Sequence, residues 1–460
     1  MSNTETNNLI KFPKRKLIEI ILSQIGIIKE LQTQVGALQT EVGILKKDSS
    51  NSSKPPSSDM NNVPKRNQSL RQKSDKKSGG QNGHKGITRG QSDHPDKIIS
   101  CRPFKCAHCG KDLSDQEGKV IARKQEIDVP PIKPEITEYQ QEEIKCICGH
   151  CNKGEFPEHI KSPMQIGQNL KSFIVYLNAS HYLPYKRLTQ LVKDLLNFPL
   201  SEGTIENALN HFEKKANPFY SQILEDIKKG SWTGGDETGS KVDKKKWWQW
   251  VWQNTTGSFY VIENSRGYKV VEKYFGTDYA GTLIHDCWSA QNNTIAGAHQ
   301  LCHPHLLRDL IFCMEIEKSG WAHKAKQFLL KSEKARDTIW KEDFSLELRE
   351  KIIQDYQDKL DGLIKESVIG AESKRLQKRF RNHREKILCF MNGPDIPWHN
   401  NSSERAIRNS KLHQKISGCF RSVKGAKRRS VTLSIIETCK KRNLNILNSL
   451  QQIFQGSFSW

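Results

Sequence analysis

The sequence predicts a multi-domain α+β chain, and three observations carry that expectation. Apolar residues repeat at heptad spacing near the start, two cysteine knuckles follow within residues 101–151, and a strand-patterned block at 231–286 stands between two helical stretches. The length of 460 residues allows two to four domains. An apolar fraction of 35% is low for one continuous core, so part of the chain reads as linker.

Charge narrows the partner. A formal net charge of +22 suits nucleic acid or an anionic surface. No apolar run approaches the ~20 residues of a membrane-spanning helix, which argues against a membrane protein. Glu19 interrupts the first apolar segment and no small-residue cleavage site follows, which argues against a signal peptide. Six of the twelve cysteines cluster at metal-ligand spacings and the rest are scattered singly, the usage of a reduced, cytoplasmic protein.

Residues 1–48 form the first expected unit. Ile21, Ile28, Val35 and Val42 share one heptad register, and Leu17, Leu31, Leu38 and Leu45 share the other, with Gln24 as its polar member. Ile or Val in one register and Leu in the other favours a parallel two-stranded coil, so residues 17–45 are expected to bring copies together as a homo-oligomer. An amphipathic helix packed on its own domain is the plainer alternative. Residues 49–100 read as a basic flexible linker. Between 61 and 90, eight cations, among them Lys65, Arg66, Lys76 and Lys77, face the single acid Asp75. Such an arm is either simply solvated or rests on a DNA backbone without sequence preference.

Residues 101–160 carry Cys106-Ala-His-Cys109-Gly110 and Cys146-Ile-Cys148-Gly149-His-Cys151. Two knuckles joined by a small hairpin suit a zinc ribbon, with four thiolates around a structural Zn²⁺. Cys106, Cys109, Cys148 and Cys151 are the expected ligands, with Cys146 as alternative and Cys101, His108 and His150 spare. Residues 161–229 are patterned as helices. Asn197-Phe198-Pro199-Leu200 breaks one and Ser201 caps the next, which carries Ile205, Ala208, Leu209 and Phe212. That reads equally as a DNA-reading helix-turn-helix and as ordinary helical packing.

Residues 230–420 hold the chemistry. Asp236 follows the short apolar segment Ser231–Thr233 and precedes an aromatic strand at 246–252; a second strand covers 258–262. A further strand, 281–286, ends on Asp286. A charged helical stretch at about 306–395 forms an insertion, and Glu404 follows on a helix after the break at 392–397. Two carboxylates at strand positions and a third on a helix suit a pair of divalent cations, Mg²⁺ or Mn²⁺, clamping the attacking and leaving oxygens of a phosphoryl displacement. Glu237 is a poor substitute for Asp236, because neighbouring strand residues point to opposite faces. Arg405, Arg408 and Lys411 supply cations beside Glu404 for a polyphosphate partner. Cys302-His303-Pro304-His305 has a metal-fragment look, though a lone Cys/His pair is more often structural. Residues 421–460 form a basic helical tail.

In that order the landmarks resemble bacterial transposases of the insertion-sequence-66 family over nearly the whole chain. They are the heptads, Ser52-Ser53-Lys54-Pro55-Pro56-Ser57-Ser58-Asp59, Gly79-Gly80-Gln81-x-Gly83-His84-x-Gly86, the cysteine knuckles, Gly154-Glu155-Phe156-Pro157, Leu183-Pro184-Tyr185, Asp236-Glu237-Thr238, Asp286-Cys287-Trp288 and Asn400-Asn401-x-x-Glu404-Arg405-Ala406-Ile407-Arg408. The resemblance implies a ribonuclease-H-like catalytic domain whose Asp-Asp-Glu triad falls on Asp236, Asp286 and Glu404. It implies an enzyme that binds terminal inverted repeats in double-stranded DNA, hydrolyses the element ends and joins their 3′-hydroxyls to target DNA. A bacterial, nucleoid-associated setting and accessory transposition proteins go with it. Two rival readings are a non-enzymatic zinc-ribbon DNA-binding regulator and a nuclease of the same fold without strand transfer.

Overall fold

The computed structural model describes residues 13–45, 47, 83, 90–130, 132–277 and 279–460. Lys65, Arg66, Lys76 and Lys77 of the basic linker lie outside the described residues. Helix α1 (Lys14–Leu45) is one continuous helix despite Gly26, Gly36 and Gly43. Its heptad residues Ile21, Ile28, Leu31, Val35, Leu38 and Val42 remain exposed, Ile21 at 53%. Its C-terminal end meets the body of the chain, where Gly43 leaves room for Ile316 and, just beyond the helix, Lys47 pairs with Glu372 at 2.7 Å.

Two short antiparallel strands, β1 (Glu143–Lys145) and β2 (Cys151–Lys153), flank the second knuckle, so this hairpin encloses that knuckle and does not lie between the two as expected. Three helices follow: α2 (Gln168–Ser180), α3 (Tyr185–Leu196) and α4 (Glu202–Lys228). Asn197 ends α3 in a left-handed conformation, and the Ser201 hydroxyl caps α4 by accepting from the Thr204 amide at 3.1 Å. The apolar face of α4 (Ile205, Ala208, Leu209, Phe212) is spent on internal packing against α2 and the C-terminal helices.

The central sheet has strands β3 (Trp232–Val242), β4 (Lys245–Gln253), β5 (Ser258–Glu263), β6 (Tyr279–His285) and β7 (Ala296–Leu301), in the order β5-β4-β3-β6-β7. The β3, β4 and β5 strands run antiparallel in succession, whereas β6 pairs parallel with β3 and β7 parallel with β6. Asp236 lies on the first strand, as its sequence position suggests, and the strand runs through Gly234 and Gly235 because β4 pairs along its length and β6 pairs as far as Gly234, which overrides the poor strand propensity of glycine. Strand β7, with its small and polar residues, was not foreseen. Helix α5 (Tyr268–Phe275) and a short turn of helix, α6 (Ser289–Asn292), bridge the strands.

After β7 comes a helical subassembly: α7 (His303–Glu317), α8 (Gly320–Lys341), α9 (Leu346–Lys365) and α10 (Ala371–Asn382). It has its own core around Leu310, Leu329, Leu360, Phe380 and Phe390. The chain then returns to the sheet through α11 (Asn401–Ser417), α12 (Val423–Lys441) and α13 (Ile446–Gln455). Helix α12 packs along the outer strand β5 and buries a row of hydroxyls there. Ser434 accepts from the Tyr260 amide at 2.9 Å and Thr438 from the Ser258 amide at 3.1 Å, so side chains satisfy the sheet edge. Although the segment from 421 reads as a basic tail, α12 is mostly buried and packs against α4 and β5. Among the described residues no helix is long and apolar enough to cross a membrane.

Candidate active site

The two glycines before Asp236 have a steric reason. A Cβ on Gly234 would stand 2.6 Å from the Ser403 hydroxyl and 2.7 Å from Asn400 Oδ1, and one on Gly235 would collide with the Gln291 side chain. The bareness of Gly234 lets the N-terminus of α11 lie against β3. Asn400 Nδ2 then donates to the Gly235 carbonyl at 2.6 Å, and Gln253 Nε2 on β4 donates to the Ser402 and Ser403 hydroxyls at 2.6 and 3.1 Å. Glu404 sits in the first turn of the docked helix, where unpaired backbone amides favour a negative charge.

Asp236 lies mid-strand and Asp286 immediately after β6, the parallel neighbour of β3. Burial pushes the Asp236 carboxyl well above the usual carboxylate range, and the negative charges of Glu237, Asp286 and Glu404 push it further. The three predicted carboxylates therefore lie near enough for Asp236 to feel the charges of the other two, although 168 residues separate the first from the last. Backbone amides orient two of them: Glu237 donates to Asp236 Oδ1 at 2.8 Å, and Trp288 to Asp286 Oδ1 at 2.9 Å. Behind Asp286, the buried His285 and His299 are hydrogen-bonded at 2.9 Å and held neutral by burial, at about 3 and about 4.

Glu237 is not left open. Arg266 donates to its Oε1 at 2.9 Å and Gln291 to its Oε2 at 3.0 Å. Arg266 itself lies between the rings of Trp248 and Trp288, at 4.8 and 3.7 Å. Glu404 differs. Among the described residues its buried Oε1 has no hydrogen-bond partner, nor does Nδ1 of His305 at 3.7 Å, beyond hydrogen-bonding distance. Cys302, His305 and Glu404 place their donor atoms within 4.8 Å of one another. An orphaned carboxylate oxygen beside an imidazole nitrogen and a thiol is a donor set that fits a divalent cation. The Cys302-x-x-His305 spacing was visible in the sequence; its convergence with Glu404 was not.

The cations beside Glu404 divide. Arg405 and Arg408 are exposed, whereas half-buried Lys411 donates to the Gly239 carbonyl at 2.9 Å and anchors α11 to β3. At the knuckles, amides of Cys109 and His108 point at the Cys106 sulfur and hold its thiol below its ordinary value. The Cys148 amide and then its thiol do the same for Cys146. Gly110 and Gly149, both at positive φ, close matching turns by donating to Cys106 O and Cys146 O. The second turn is thus built on Cys146 and Cys148, with exposed Cys151 outside it at the head of β2. Among the described residues the two knuckles are not gathered into one four-sulfur site.

Residues 163–428 match the family described as "Transposase IS66 family", and residues 14–90 match a family of unknown function (DUF6444). The chain is 34% identical over 76 residues to the uncharacterized protein y4jO of Sinorhizobium fredii (strain NBRC 101917 / NGR234), a match over 16% of this chain and 24% of that relative. It is 20% identical over 394 residues to the uncharacterized protein y4hP of the same organism, over 76% of this chain and 70% of the relative. The chain thus spans about a quarter of the length of the first of these relatives. A solved structure, "Crystal structure of the Mos1 Strand Transfer Complex", is similar over 33% of this chain and 63% of that one, at 13% identity and a TM-score of 0.13, a likeness that carries no argument.

Proposed function

The chain belongs to the IS66 family of transposases, and on that premise we propose that it is a DNA transposase of the Asp-Asp-Glu type, with Asp236, Asp286 and Glu404 as its triad. The observation that supports the reading is that Asp236 on β3 feels the charges of Asp286 after β6 and of Glu404 at the start of α11, with one buried oxygen on Glu404 left unpartnered among the described residues. The strand order β5-β4-β3-β6-β7, with three antiparallel strands followed by two parallel ones, supports a ribonuclease-H-like catalytic fold with α7–α10 as its insertion.

Asp236, Asp286 and Glu404 would hold a pair of divalent cations, Mg²⁺ or Mn²⁺, which when bound acidify the attacking hydroxyl and neutralise the leaving oxygen. The carboxylates fix where the scissile phosphate must sit, and Arg405 and Arg408 offer positive charge to the adjoining DNA backbone. In the first step a water oxygen bonds to phosphorus as the bond to the 3′-oxygen of the element end breaks. In the second that 3′-hydroxyl attacks a target phosphodiester, and the target's own 3′-oxygen leaves. Each step exchanges one P–O bond for another and needs no energy-supplying co-substrate. Terminal inverted repeats in double-stranded DNA are the substrate. Exposed α1 supports self-association of two copies, and the lowered thiols of Cys106 and Cys146 offer each knuckle to zinc, which would have to draw the two knuckles together to complete four sulfur ligands.

End cleavage in Mg²⁺ by Asp236→Asn tests the assignment: the purified, folded variant is expected to bind DNA and lose cleavage, and unchanged cleavage would overturn it. Pre-cut 3′-hydroxyl ends offered to the wild type should be joined to target DNA. Hydrolysis without joining would leave a nuclease.

A further inference from the structure

Past the carboxylates, β3 runs on to Val242 and turns into β4 through Asp243 and Lys244, both left-handed at φ 49° and 60°. A two-residue turn with both φ positive is one that Asn-Gly or Gly-Gly fills at least cost. A lysine occupies its second place here, where an L side chain is strained. Lys241 stands directly opposite Lys246 in the ladder, and like charges so opposed weaken a strand pair. Lys241, Lys244, Lys245 and Lys246 are all exposed.

The tip is held firmly. The Asp243 amide donates to the Phe420 carbonyl at 2.9 Å and the Phe420 amide to the Lys241 carbonyl at 3.0 Å, while Val242, Ile262 and Ala426 close an apolar cluster beneath. This junction brings in Arg421, Lys424 and Lys427, exposed as well. Asp243 is the one acid within segments 241–246 and 420–427. Among the described residues none of the seven cations has an ion-pair partner, although Glu213 lies towards Lys424 and Glu263, already bound by Lys273, towards Lys427. A strained turn and an opposed lysine pair detract from stability; Lys246 rests over the Trp248 ring at 4.9 Å, but among the described residues no acid pairs with these cations, and a polyanion would.

We propose that the β3–β4 hairpin tip and the 420–427 segment form a rigid contact surface for the phosphate backbone of duplex DNA, independent of base sequence. This rests on the transposase reading and locates part of its DNA path. At about 3.4 Å per residue, Lys241 lies about 17 Å along β3 from Asp236, half of the roughly 34 Å turn of a duplex. The surface therefore meets the backbone about five base pairs from the phosphate at the carboxylates.

The test is fluorescence anisotropy of the full chain on an arbitrary duplex of about 30 base pairs, across roughly 50 to 300 mM salt. The variant Lys241→Gln/Lys244→Gln/Lys245→Gln/Lys246→Gln is compared with Lys331→Gln/Lys351→Gln/Lys374→Gln/Lys378→Gln, equal in charge loss but on the helical insertion. The hairpin variant is expected to lose about 3.6 from the slope of log K against log salt, at about 0.9 per phosphate contact, and the insertion variant less than about one. Lys244→Gly guards against misfolding, since it relieves the turn: its unfolding midpoint should rise while its slope falls by about one. Equal slopes for the two quadruple variants, or an unchanged slope for Lys244→Gly, would overturn the surface while wild-type DNA binding left the transposase reading standing. A wild type that binds no duplex would overturn both.

Discussion

Asn400 reaches across 2.6 Å to the carbonyl of Gly235, and that bond fastens the helix carrying Glu404 to the strand carrying Asp236. The fit depends on a missing carbon at residue 234. Gly234→Ala would set a methyl 2.6 Å from the Ser403 hydroxyl and 2.7 Å from Asn400, so α11 must shift. The expected outcome is a loss of about 1–3 kcal/mol in urea unfolding, typical of overpacking, and a larger proportional loss of DNA cleavage than of DNA binding. Asn400→Ala should weaken the same joint from the other side.

Metal affinity should separate the two glutamates. Glu404 has an unpartnered buried oxygen, whereas Arg266 and Gln291 occupy both oxygens of Glu237. Titrating zinc-loaded protein with Mn²⁺ by calorimetry, Glu404→Gln is expected to weaken binding about tenfold or more. Glu237→Gln should leave the affinity near wild type and lower stability instead. The opposite ranking would remove Glu404 from the proposed triad.

Acid stability should report the junction between α4 and α12. Arg428 donates to Glu206 at 2.6 and 2.9 Å, and with Tyr185 it holds that carboxyl down at about 2, against an ordinary 4.5. A carboxyl depressed in the folded state stabilises fully above its unfolded value and loses that contribution as pH falls through the folded one. Wild type should therefore exceed Glu206→Gln in urea midpoint at neutral pH, and the gap should close between about pH 4.5 and about pH 2. The side chain is 40% exposed, so the gap should be modest. A gap that persisted at pH 2 would mean that shape, not charge, holds the junction.

The matched turns at Cys106–Gly110 and Cys146–Gly149 give a prediction about zinc. Serine at Cys106, Cys109, Cys146 or Cys148 should lower bound zinc measured by elemental analysis, and Cys151→Ser should lower it less. A strong effect at Cys151 and none at Cys146 would favour the regular Cys148/Cys151 spacing instead.

Local signals carried well from sequence to structure. The break after α3, the Ser201 cap, the aromatic strand and the helical insertion each announce themselves within a few residues. Strand β7 did not, because its small and polar residues form no apolar run and its parallel pairing with β6 holds it extended. The three carboxylates could be named from type and order; the orphaned oxygen on Glu404 and the approach of His305 exist only once α7 and α11 are folded against each other. Lys411 shows the limit of charge counting, since its amine is spent on the Gly239 carbonyl.

The hydroxyl row of α12 has a further consequence. Ser434 and Thr438 occupy the Tyr260 and Ser258 amides on the outer side of β5. Among the described residues, that edge therefore presents these two amides to its own chain and not to another molecule's strand. Copies of this chain that gather on two DNA ends would have to displace α12 before they could pair through β5, so this flank favours contact through helices or through the DNA itself.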